Sequence, residues 1–429
     1  MMPLRFPRRH FVLSSAAVGS GLVIPAALAS EPTSAPEAAV SRRAVLELER
    51  FLRQGGSYRD AAAERFASVA LLKRDAEQAR DRLTASRTAE VHQDRQRERD
   101  ASELIDGELR MPLFIRIFGE EPPQGHSVFI SMHGGGNAPA AVNEQQWQNQ
   151  QRLYEPTEGI YVAPLAPTNT WNLWHEPHID RLFDRLIDML AVTERANRNR
   201  VYLMGYSAGG DGVYQLAPRM ADRWAAAAMM AGHPNDASPL SLRNVPFAVQ
   251  VGGRDAAYNR NTVAAEWGDQ LKQLHEADPE GYEHFVKIYP EHAHWMHRDD
   301  AVALPWMASH TRNPVPTRVV WRQDDVLHPS FYWLAADAAN RKAYAQVIAN
   351  IEGQQISIES TDLANLTVHL DDRLVDLEQP VVLIANGRAS SPIRLNRTIA
   401  TLATTLAERG DPDLAFTASV AVGLSPGAA

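Results

Sequence analysis

The chain has 429 residues, enough for two or three domains with a well-buried core. Its 43 basic and 52 acidic side chains give a formal net charge of −9. This charge argues against a nucleic-acid-binding protein, because phosphate contacts need a basic face. The chain contains no cysteine, which excludes disulfides, thiolate metal sites, cysteine nucleophiles and cysteine-anchored lipids.

Residues 1–29 predict an export signal that is not part of the fold. Arg8 and Arg9 precede a moderately apolar stretch, and Ala27-Leu28-Ala29 offers small residues for cleavage. The arginine pair resembles a twin-arginine signal, with a general secretory signal or an uncleaved anchor as alternatives. We therefore expect a periplasmic or extracellular protein, with no stable membrane insertion once the signal is removed.

Residues 30–106 predict a linker followed by helices. The segment Ser30–Ala39 is rich in Pro, Ala and Ser, and from about Arg42 to Asp106 the apolar residues recur at helical spacing. We expect a helical arm packed on the next domain, with coiled-coil binding to a partner as the alternative.

Residues 107–312 predict an α/β domain. Apolar runs typical of buried strands alternate with helical segments, which favours a mostly parallel sheet with helices on both faces. In such a sheet, ligands bind beyond the carboxyl ends of the strands. The predicted strands are 112–117, 127–132, 160–163, 201–204, 226–230, 247–251 and 284–288, and the clearest helices are 179–193 and 262–275.

Residues 313–429 predict a small β-rich C-terminal domain. Asn386-Gly387 suits the turn of a hairpin over 381–395. Gly410 is expected to end a short helix over 398–409. We expect this domain to cover the α/β domain, with docking of a substrate or a polymer surface as the alternative. Its other predicted strands are 318–321, 331–334, 366–370 and 415–422.

The segment Gly205-Tyr206-Ser207-Ala208-Gly209 has the form G-x-S-x-G. It follows a predicted buried strand and precedes a stretch compatible with a helix. A strand, a sharp turn and a helix hold a serine hydroxyl above the sheet edge, where it can attack a carbonyl carbon. Ser207 is therefore the predicted nucleophile.

A serine nucleophile needs a base, and the base needs an acceptor that orients it. Asp255 directly follows the predicted strand 247–251 and is the candidate acid. The loop after strand 284–288 contains three histidines, of which His294 is the predicted base and His292 the alternative. His297 is expected on the helix that follows.

The developing oxyanion needs hydrogen-bond donors. One predicted donor is the backbone N–H of Ala208, at the start of the helix after the nucleophile. The other comes from Gly134 or Gly135 in His133-Gly134-Gly135-Gly136, which follows the strand 127–132. Glycines let backbone N–H groups approach a substrate oxygen without interference from a Cβ.

The glycine run, the serine motif, Asp255 and His294, in this chain order, resemble the α/β-hydrolase superfamily. The resemblance covers about Leu109 to Asn313. The branch resembles polyhydroxybutyrate-depolymerase-like and dienelactone-hydrolase-like esterases, and it borders prolyl-oligopeptidase-type peptidases. The resemblance implies a serine hydrolase, with Ser207 as nucleophile, His294 as general base and then acid, and Asp255 orienting the imidazole. It implies no cofactor and a small or oligomeric ester as substrate.

Five residues after early strands or beside the nucleophile could wall a substrate pocket, although packing would equally explain them: Trp147, Trp171, Trp174, His175 and Tyr206. Three alternatives to an esterase remain open: a serine peptidase, a metal-dependent hydrolase and a non-catalytic binding protein on a hydrolase scaffold. Metal ligands would come from His292, His294, His297 and Asp299, but no His-Glu-x-x-His pattern occurs.

Overall fold

The computed structural model describes residues 35–360 and 362–424. The predicted export signal, 1–29, lies outside these residues. Helix α1 (Ala35–Arg53) begins inside the predicted linker, so the linker prediction is wrong from residue 35 onward. Two short 3₁₀ helices, Asp60–Ala63 and Arg65–Ser68, connect α1 to α2 (Lys73–Ala101).

The predicted N-terminal helical region extends too far, because α2 ends at Ala101. Ser102 adopts a left-handed conformation (φ 49°), and its N–H bonds to the carbonyls of Glu98 and Arg99, which closes the last turn. The next residues form strand β1 (Glu103–Asp106), which pairs antiparallel with the sheet strand that follows. Residues 103–106 therefore belong to the sheet.

The central sheet has eight strands in the order β1-β2-β4-β3-β5-β6-β7-β8. Strand β2 runs antiparallel to both β1 and β4, and the pairs from β4 through β8 are parallel. All seven predicted strands of this domain are confirmed. The strands after β1 are β2 (Leu109–Phe118), β3 (His126–Met132), β4 (Gly159–Pro164), β5 (Ala196–Tyr206), β6 (Ala226–Met230), β7 (Phe247–Gly252) and β8 (His284–Tyr289).

Two separate apolar clusters cover the two faces of this sheet. Along β3, Val128 and Ile130 point into one cluster and Phe129 into the other, as the alternation of a strand requires. The first cluster packs under α4, α5 and α6, and the second under α3 and α7. These helices are α3 (Ala140–Gln150), α4 (Pro177–Thr193), α5 (Ala208–Arg219), α6 (Arg260–Ala277) and α7 (Ala303–Ala308).

The sheet order, the antiparallel β2 and the covered faces make this an α/β-hydrolase fold. The fold class predicted from the sequence is confirmed, including a separate β-rich region. No helix in the described part of the chain is long and apolar enough to cross a bilayer.

The C-terminal region contains two small sheets. Their orders are β10-β11-β14-β17 and β16-β15-β13-β12-β9. The elements are β9 (Arg318–Arg322), β10 (Ser330–Phe331), β11 (Leu334–Ala335), β12 (Gln346–Glu352), β13 (Gln355–Glu359), β14 (Asn365–Leu370), β15 (Val382–Ala385), β16 (Arg388–Ala389), α8 (Ile399–Arg409) and β17 (Ala418–Gly423). Helix α8 and its end at Gly410 confirm the prediction.

One predicted strand in this region is wrong and two were missed. The segment 331–334 is a tight hairpin, because Tyr332 adopts φ 51° and reverses the chain between β10 and β11. Strands β12 and β13 form a hairpin around Gly353. Apolar residues at every second position, Val347, Ala349 and Ile351, were the sequence signal for β12, and all three are buried.

Helix α8 packs against the N-terminal helices. Leu402 and Leu406 share a buried cluster with Leu48 of α1 and Leu83 of α2. An isolated bridge also joins Leu71 to Arg397. The described residues all belong to one compact unit.

Candidate active site

Ser207 lies at the junction between β5 and α5, in a strained backbone conformation. Its φ of 58° and ψ of −121° are rarely adopted by a residue with a side chain, at a cost on the order of 1–3 kcal/mol. Two backbone hydrogen bonds hold the turn: Ser207 N–H donates to Met230 O (2.9 Å), and Asp211 N–H donates to Ser207 O (3.0 Å). This turn presents the hydroxyl at the carboxyl edge of the sheet.

The glycines of the motif are required by close backbone contacts. A Cβ added to Gly205 would lie 2.2 Å from the carbonyl oxygen of Gly209. A Cβ added to Gly209 would lie 2.1 Å from the carbonyl oxygen of Met132 on β3. Because both obstacles are backbone atoms, they cannot move aside as a flexible side chain would.

A continuous chain of hydrogen bonds joins Ser207, His294 and Asp255. His294 Nε2 lies 3.0 Å from Ser207 Oγ, and His294 Nδ1 lies 2.7 Å from Asp255 Oδ2. The Asp255 side chain is 1% exposed and that of His294 is 42% exposed. The structure thus brings together the three residues that the sequence predicted as nucleophile, base and acid.

The loop that carries Asp255 is fixed by its backbone. Asp255 N–H donates to Gly252 O, and Asp255 O accepts from Asn261 N–H, each at 3.0 Å. A Cβ at Gly252 would lie 1.9 Å from Ala293 O, so the histidine loop can approach the end of β7 only because this residue is glycine.

Tyr206 holds the histidine loop in place. Its hydroxyl donates to His294 O (2.6 Å) and accepts from Met296 N–H (2.9 Å), and its ring lies 5.6 Å from that of Trp295. Burial raises the pKa of the Tyr206 hydroxyl, so the group stays protonated. The residue is 7% exposed, which makes it a poor pocket wall and corrects that expectation.

The two neighbouring histidines have other partners. His292 Nε2 lies 2.7 Å from Asp299 Oδ2, and its ring packs 5.3 Å from that of His297. His297 lies in a turn with φ 55°, before a 3₁₀ helix over Asp299–Val302, so its predicted position on a helix is wrong. Across residues 35–360 and 362–424, no group of three or more His, Asp or Glu side chains is arranged to hold a metal ion.

The glycine run lies directly beside Ser207. A Cβ on Gly134 would lie 3.1 Å from the Cβ of Ser207. Gly135 and Gly136 have φ values of 111° and 81°, which other residues rarely adopt. Asn143 fixes the loop by accepting from Gly136 N–H (2.9 Å), and its amide donates to Asn169 (2.6 Å).

His133 orients the peptide between Gly134 and Gly135. Its Nε2 accepts from Ala166 N–H (3.1 Å), so the proton is on Nδ1, which donates to Gly134 O (2.6 Å). Burial lowers the pKa of His133 to about 4, which keeps the ring neutral. The C=O and N–H of a trans peptide point in opposite directions, so the Gly135 N–H points away from His133.

The predicted oxyanion donors are free to bind a ligand. Within the described residues, the N–H groups of Gly135 and Ala208 have no protein acceptor. Ala208 is the first residue of α5, where the N–H groups are unpaired and the helix dipole favours negative charge. The loops beside Ser207 therefore contain two backbone donors that no protein group occupies.

Two of the predicted pocket aromatics are structural. Trp174 is fully buried, and its indole N–H donates to His133 O (2.8 Å). Trp147 donates to Ala163 O (2.8 Å) and packs against the second apolar cluster. For these two residues packing, the alternative given above, is the correct interpretation, and the expected pocket wall is not.

Three exposed aromatic side chains lie on loops of the site. Trp171 is 59% exposed and lies on the loop after β4, where Thr170 O accepts from Asn137 N–H at the end of the glycine loop (3.1 Å). Its ring lies 5.2 Å from that of the half-buried His175, whose pKa burial lowers to about 4. Tyr258 (77% exposed) and Trp295 (44% exposed) follow Asp255 and His294 in sequence. Sequence reasoning missed the last two, and their positions next to the predicted acid and base were the available signal.

Asp211 is a further ionisable group of the site that sequence reasoning missed. It lies in the first turn of α5 and accepts from His233 N–H through Oδ1 (2.6 Å). Burial raises the pKa of Asp211 to about 6. Its position four residues after the nucleophile was the available signal.

No family model matches the chain, and no curated protein is significantly similar to it in sequence. Similar solved structures include a thermostable esterase (17% identity, TM-score 0.33), which covers 49% of this chain, while this chain spans 62% of it. A ferulic acid esterase (16% identity, TM-score 0.35) covers 48% of this chain over 95% of its own length. FphF, a fluorophosphonate-binding serine hydrolase of Staphylococcus aureus (12% identity, TM-score 0.34), covers 48% over 96% of its length. At these identities and TM-scores the similarities carry no conclusion about this chain.

Proposed function

We propose that the protein is a serine hydrolase that cleaves carboxylic esters through an acyl-enzyme. The observation that supports this most is the hydrogen-bonded chain from Asp255 through His294 to Ser207. A serine hydroxyl is a weak nucleophile unless a base removes its proton, and the base must be held in one orientation. Here His294 is within hydrogen-bond distance of the Ser207 hydroxyl, and Asp255 holds the His294 ring in one orientation.

In the first step, Ser207 Oγ attacks the ester carbonyl carbon while His294 Nε2 takes the hydroxyl proton. Asp255 accepts from His294 Nδ1–H and stabilises the imidazolium that forms. The imidazolium then gives its proton to the leaving alkoxide, the C–O ester bond breaks, and an acyl-serine and an alcohol result. Each removed oxyanion donor typically costs about 10²–10³ in turnover. The N–H groups of Gly135 and Ala208 are the donors to the oxyanion in this proposal.

In the second step, water attacks the acyl-serine. His294 takes a proton from the water, the tetrahedral intermediate collapses, and the proton passes to Ser207 Oγ as the carboxylic acid leaves. Every proton moves between substrate, water and these two side chains. The reaction therefore balances without a cofactor.

The exposed aromatic side chains favour an ester with an aromatic or extended apolar group. Tyr258 and Trp295 follow the acid and the base in sequence, and Trp171 lies on the loop after β4, which contacts the glycine loop through the Asn137 N–H to Thr170 O hydrogen bond (3.1 Å). Solvent-exposed aromatic rings near a reactive centre can stack against a substrate at low entropic cost. The proposal also places the protein among the polyhydroxybutyrate-depolymerase-like or dienelactone-hydrolase-like esterases. Its substrates would then be small or oligomeric esters.

The decisive experiment is labelling of the purified protein with a fluorescent fluorophosphonate, followed by assays on short-acyl, long-acyl, aromatic and peptide substrates. Wild type and Ser309→Ala, which changes an exposed serine beyond α7, should label and hydrolyse esters. Ser207→Ala should do neither. Labelling with peptide cleavage alone would favour a peptidase. If wild type does not react with the fluorophosphonate but still binds a ligand, the protein is a non-catalytic binding protein. If wild type does not react but has an activity that a chelator removes, it is a metal-dependent hydrolase.

We also propose that the protein is exported to the periplasm or the extracellular space. The support is the sequence of residues 1–29, with Arg8-Arg9 ahead of an apolar stretch. Replacing both arginines with lysine should retain a tagged protein in the cytoplasm, as fractionation would measure. Unchanged export of the variant would favour a general secretory signal. Wild-type protein found only in the cytoplasm would contradict export.

A further inference from the structure

A cleft of about 330 Å³ lies among α2, α4 and the C-terminal end of α8. Eight arginine and four acidic side chains line it, and Ser207, His294 and Asp255 are not among the lining residues. We call it the arginine cleft, with Arg87 and Arg95 of α2, Arg185 of α4 and Arg198 of β5 as its defining residues.

Three of these arginines share one carboxylate. Arg87 Nη2 and Arg198 Nη2 lie 2.8 and 2.5 Å from the same oxygen, Oδ1 of Asp188. Arg95 Nε lies 3.6 Å from the other oxygen of Asp188. One negative charge therefore faces three positive charges, in a position where solvent screens them weakly.

A second carboxylate is also shared. Glu98 pairs with Arg95 (2.6 Å) and with Arg185 of α4. The four arginines of the cleft thus meet two carboxylates. The remaining acidic residues of the lining each interact with a further arginine: Asp184 with Arg223, Asp411 with Arg312 and Glu408 with Arg409. The charge of Asp411 also acts on Arg198, from beyond ion-pair distance. The four arginines thus face two carboxylates that they contact directly and a third at longer range, which leaves an excess of positive charge.

Among the four arginines that define the cleft, two have a buried N–H donor without a hydrogen-bond partner. The side chain of Arg87 is 8% exposed, and its Nε has no hydrogen-bond partner among the described residues. The buried Nε of Arg95 has no hydrogen-bond partner among the described residues either, since Asp188 Oδ2, at 3.6 Å, lies beyond hydrogen-bond distance. Leaving a buried charged donor without an acceptor is costly, so the cleft lacks acceptor oxygens as well as negative charge.

We propose that the arginine cleft binds a tetrahedral oxyanion: inorganic phosphate, or the phosphate group of a small phosphomonoester. Guanidinium groups suit this ligand because their planar N–H pairs match the oxygen spacing of phosphate. The anion supplies the missing charge and accepts from Arg87 and Arg95. It thereby links α2 to α4 and stabilises the N-terminal helices on the sheet domain.

The test is a calorimetric titration of the purified protein with inorganic phosphate at pH 7.5, with ionic strength held constant by sodium chloride. A second arm uses glycerol 3-phosphate. The variant is Arg95→Gln, because Asp188 then keeps Arg87 and Arg198, and Glu98 keeps Arg185. The matched control is Arg97→Gln, two residues along α2, whose side chain is 72% exposed.

Wild type and the control should bind phosphate saturably, and ligand should raise their melting temperatures. Arg95→Gln should bind about tenfold more weakly, as expected for one lost charge-assisted hydrogen bond. Tighter binding of glycerol 3-phosphate than of phosphate would assign the site to a phosphomonoester, and the reverse order to free phosphate. Absence of binding in wild type, or equal affinity in Arg95→Gln, would overturn the proposal. If Arg95→Gln does not fold, Arg185→Gln on the half-exposed rim takes its place.

Discussion

The loops around Ser207 are positioned by backbone geometry, whereas the region of the arginine cleft depends on long charged side chains. At the first region, Gly205, Gly209 and Gly252 approach backbone atoms more closely than any Cβ would allow. At the second, arginines reach carboxylates far away in sequence, such as Arg87 with Asp188 and Arg312 with Asp411. The difference teaches that short motifs can specify the first kind of region, while the second requires the whole fold.

The largest effect is expected when the histidine of the site is removed. His294→Ala should lower ester turnover at least about 10³-fold, because Ser207 then has no base. His292→Ala is the matched control, since this ring pairs with Asp299 and not with Ser207. Steady-state kinetics on an activated ester would measure both. Retained activity in His294→Ala with loss in His292→Ala would reassign the base.

The next largest effect concerns the charged region. Arg312 is buried and pairs with Asp411 at 2.8 Å, with side chains 1% and 5% exposed. Arg312→Met leaves Asp411 as a buried charge without its main partner, which should cost about 3–5 kcal/mol of unfolding free energy. Arg43→Met, at an exposed pair with Glu47, should change stability by less than about 1 kcal/mol. Urea denaturation would compare the two.

This pair also predicts a pH dependence. Burial alone would raise the pKa of Asp411, but the charges of Arg312 and Arg198 hold it below its usual value. Its contribution is therefore complete above the unfolded pKa of about 4 and is lost as the pH falls below that value. Wild type should lose stability on acidification in this range, and Arg312→Met should lose less. An equal loss in both proteins would contradict the assignment.

A smaller effect is expected from the backbone-positioned region. Gly209→Ala forces a Cβ to within 2.1 Å of Met132 O, so β3 or the turn must shift. Overpacking of this kind typically costs about 1–3 kcal/mol, and the shift should also lower fluorophosphonate labelling. Gly423→Ala is the control, since its nearest neighbour is a side-chain oxygen 4.0 Å away. If both variants melted and labelled alike, the close contact would not be what fixes Ser207.

The two regions also differ in how far the sequence could reveal them. Ser207, Asp255 and His294 each follow an apolar strand run, so their meeting at one sheet edge could be predicted. The role of Tyr206 could not, because its partners, His294 O and Met296 N–H, lie about 90 positions away and are backbone atoms. From the sequence of α2 alone, its arginines would be placed on a solvent-exposed helix face, because no neighbouring residue indicates that Asp188 of α4 lies opposite them. The hairpin at Tyr332 was missed because its left-handed residue is not glycine.

The smallest effect isolates one charge beside the nucleophile. Burial raises the pKa of Asp211 to about 6, whereas the unfolded value is about 3.9. The folded state is thus favoured below pH 4, and this advantage is lost as the pH rises through 6.

Asp211→Asn keeps an oxygen for His233 N–H but carries no charge. It should therefore stabilise the protein by about 1–2 kcal/mol at pH 7.5 and leave it unchanged at pH 4, as urea denaturation would measure. Asp269→Asn, on the exposed face of α6, should show no such difference. A gain of equal size at both pH values would mean that side-chain packing, and not the charge of Asp211, limits stability here.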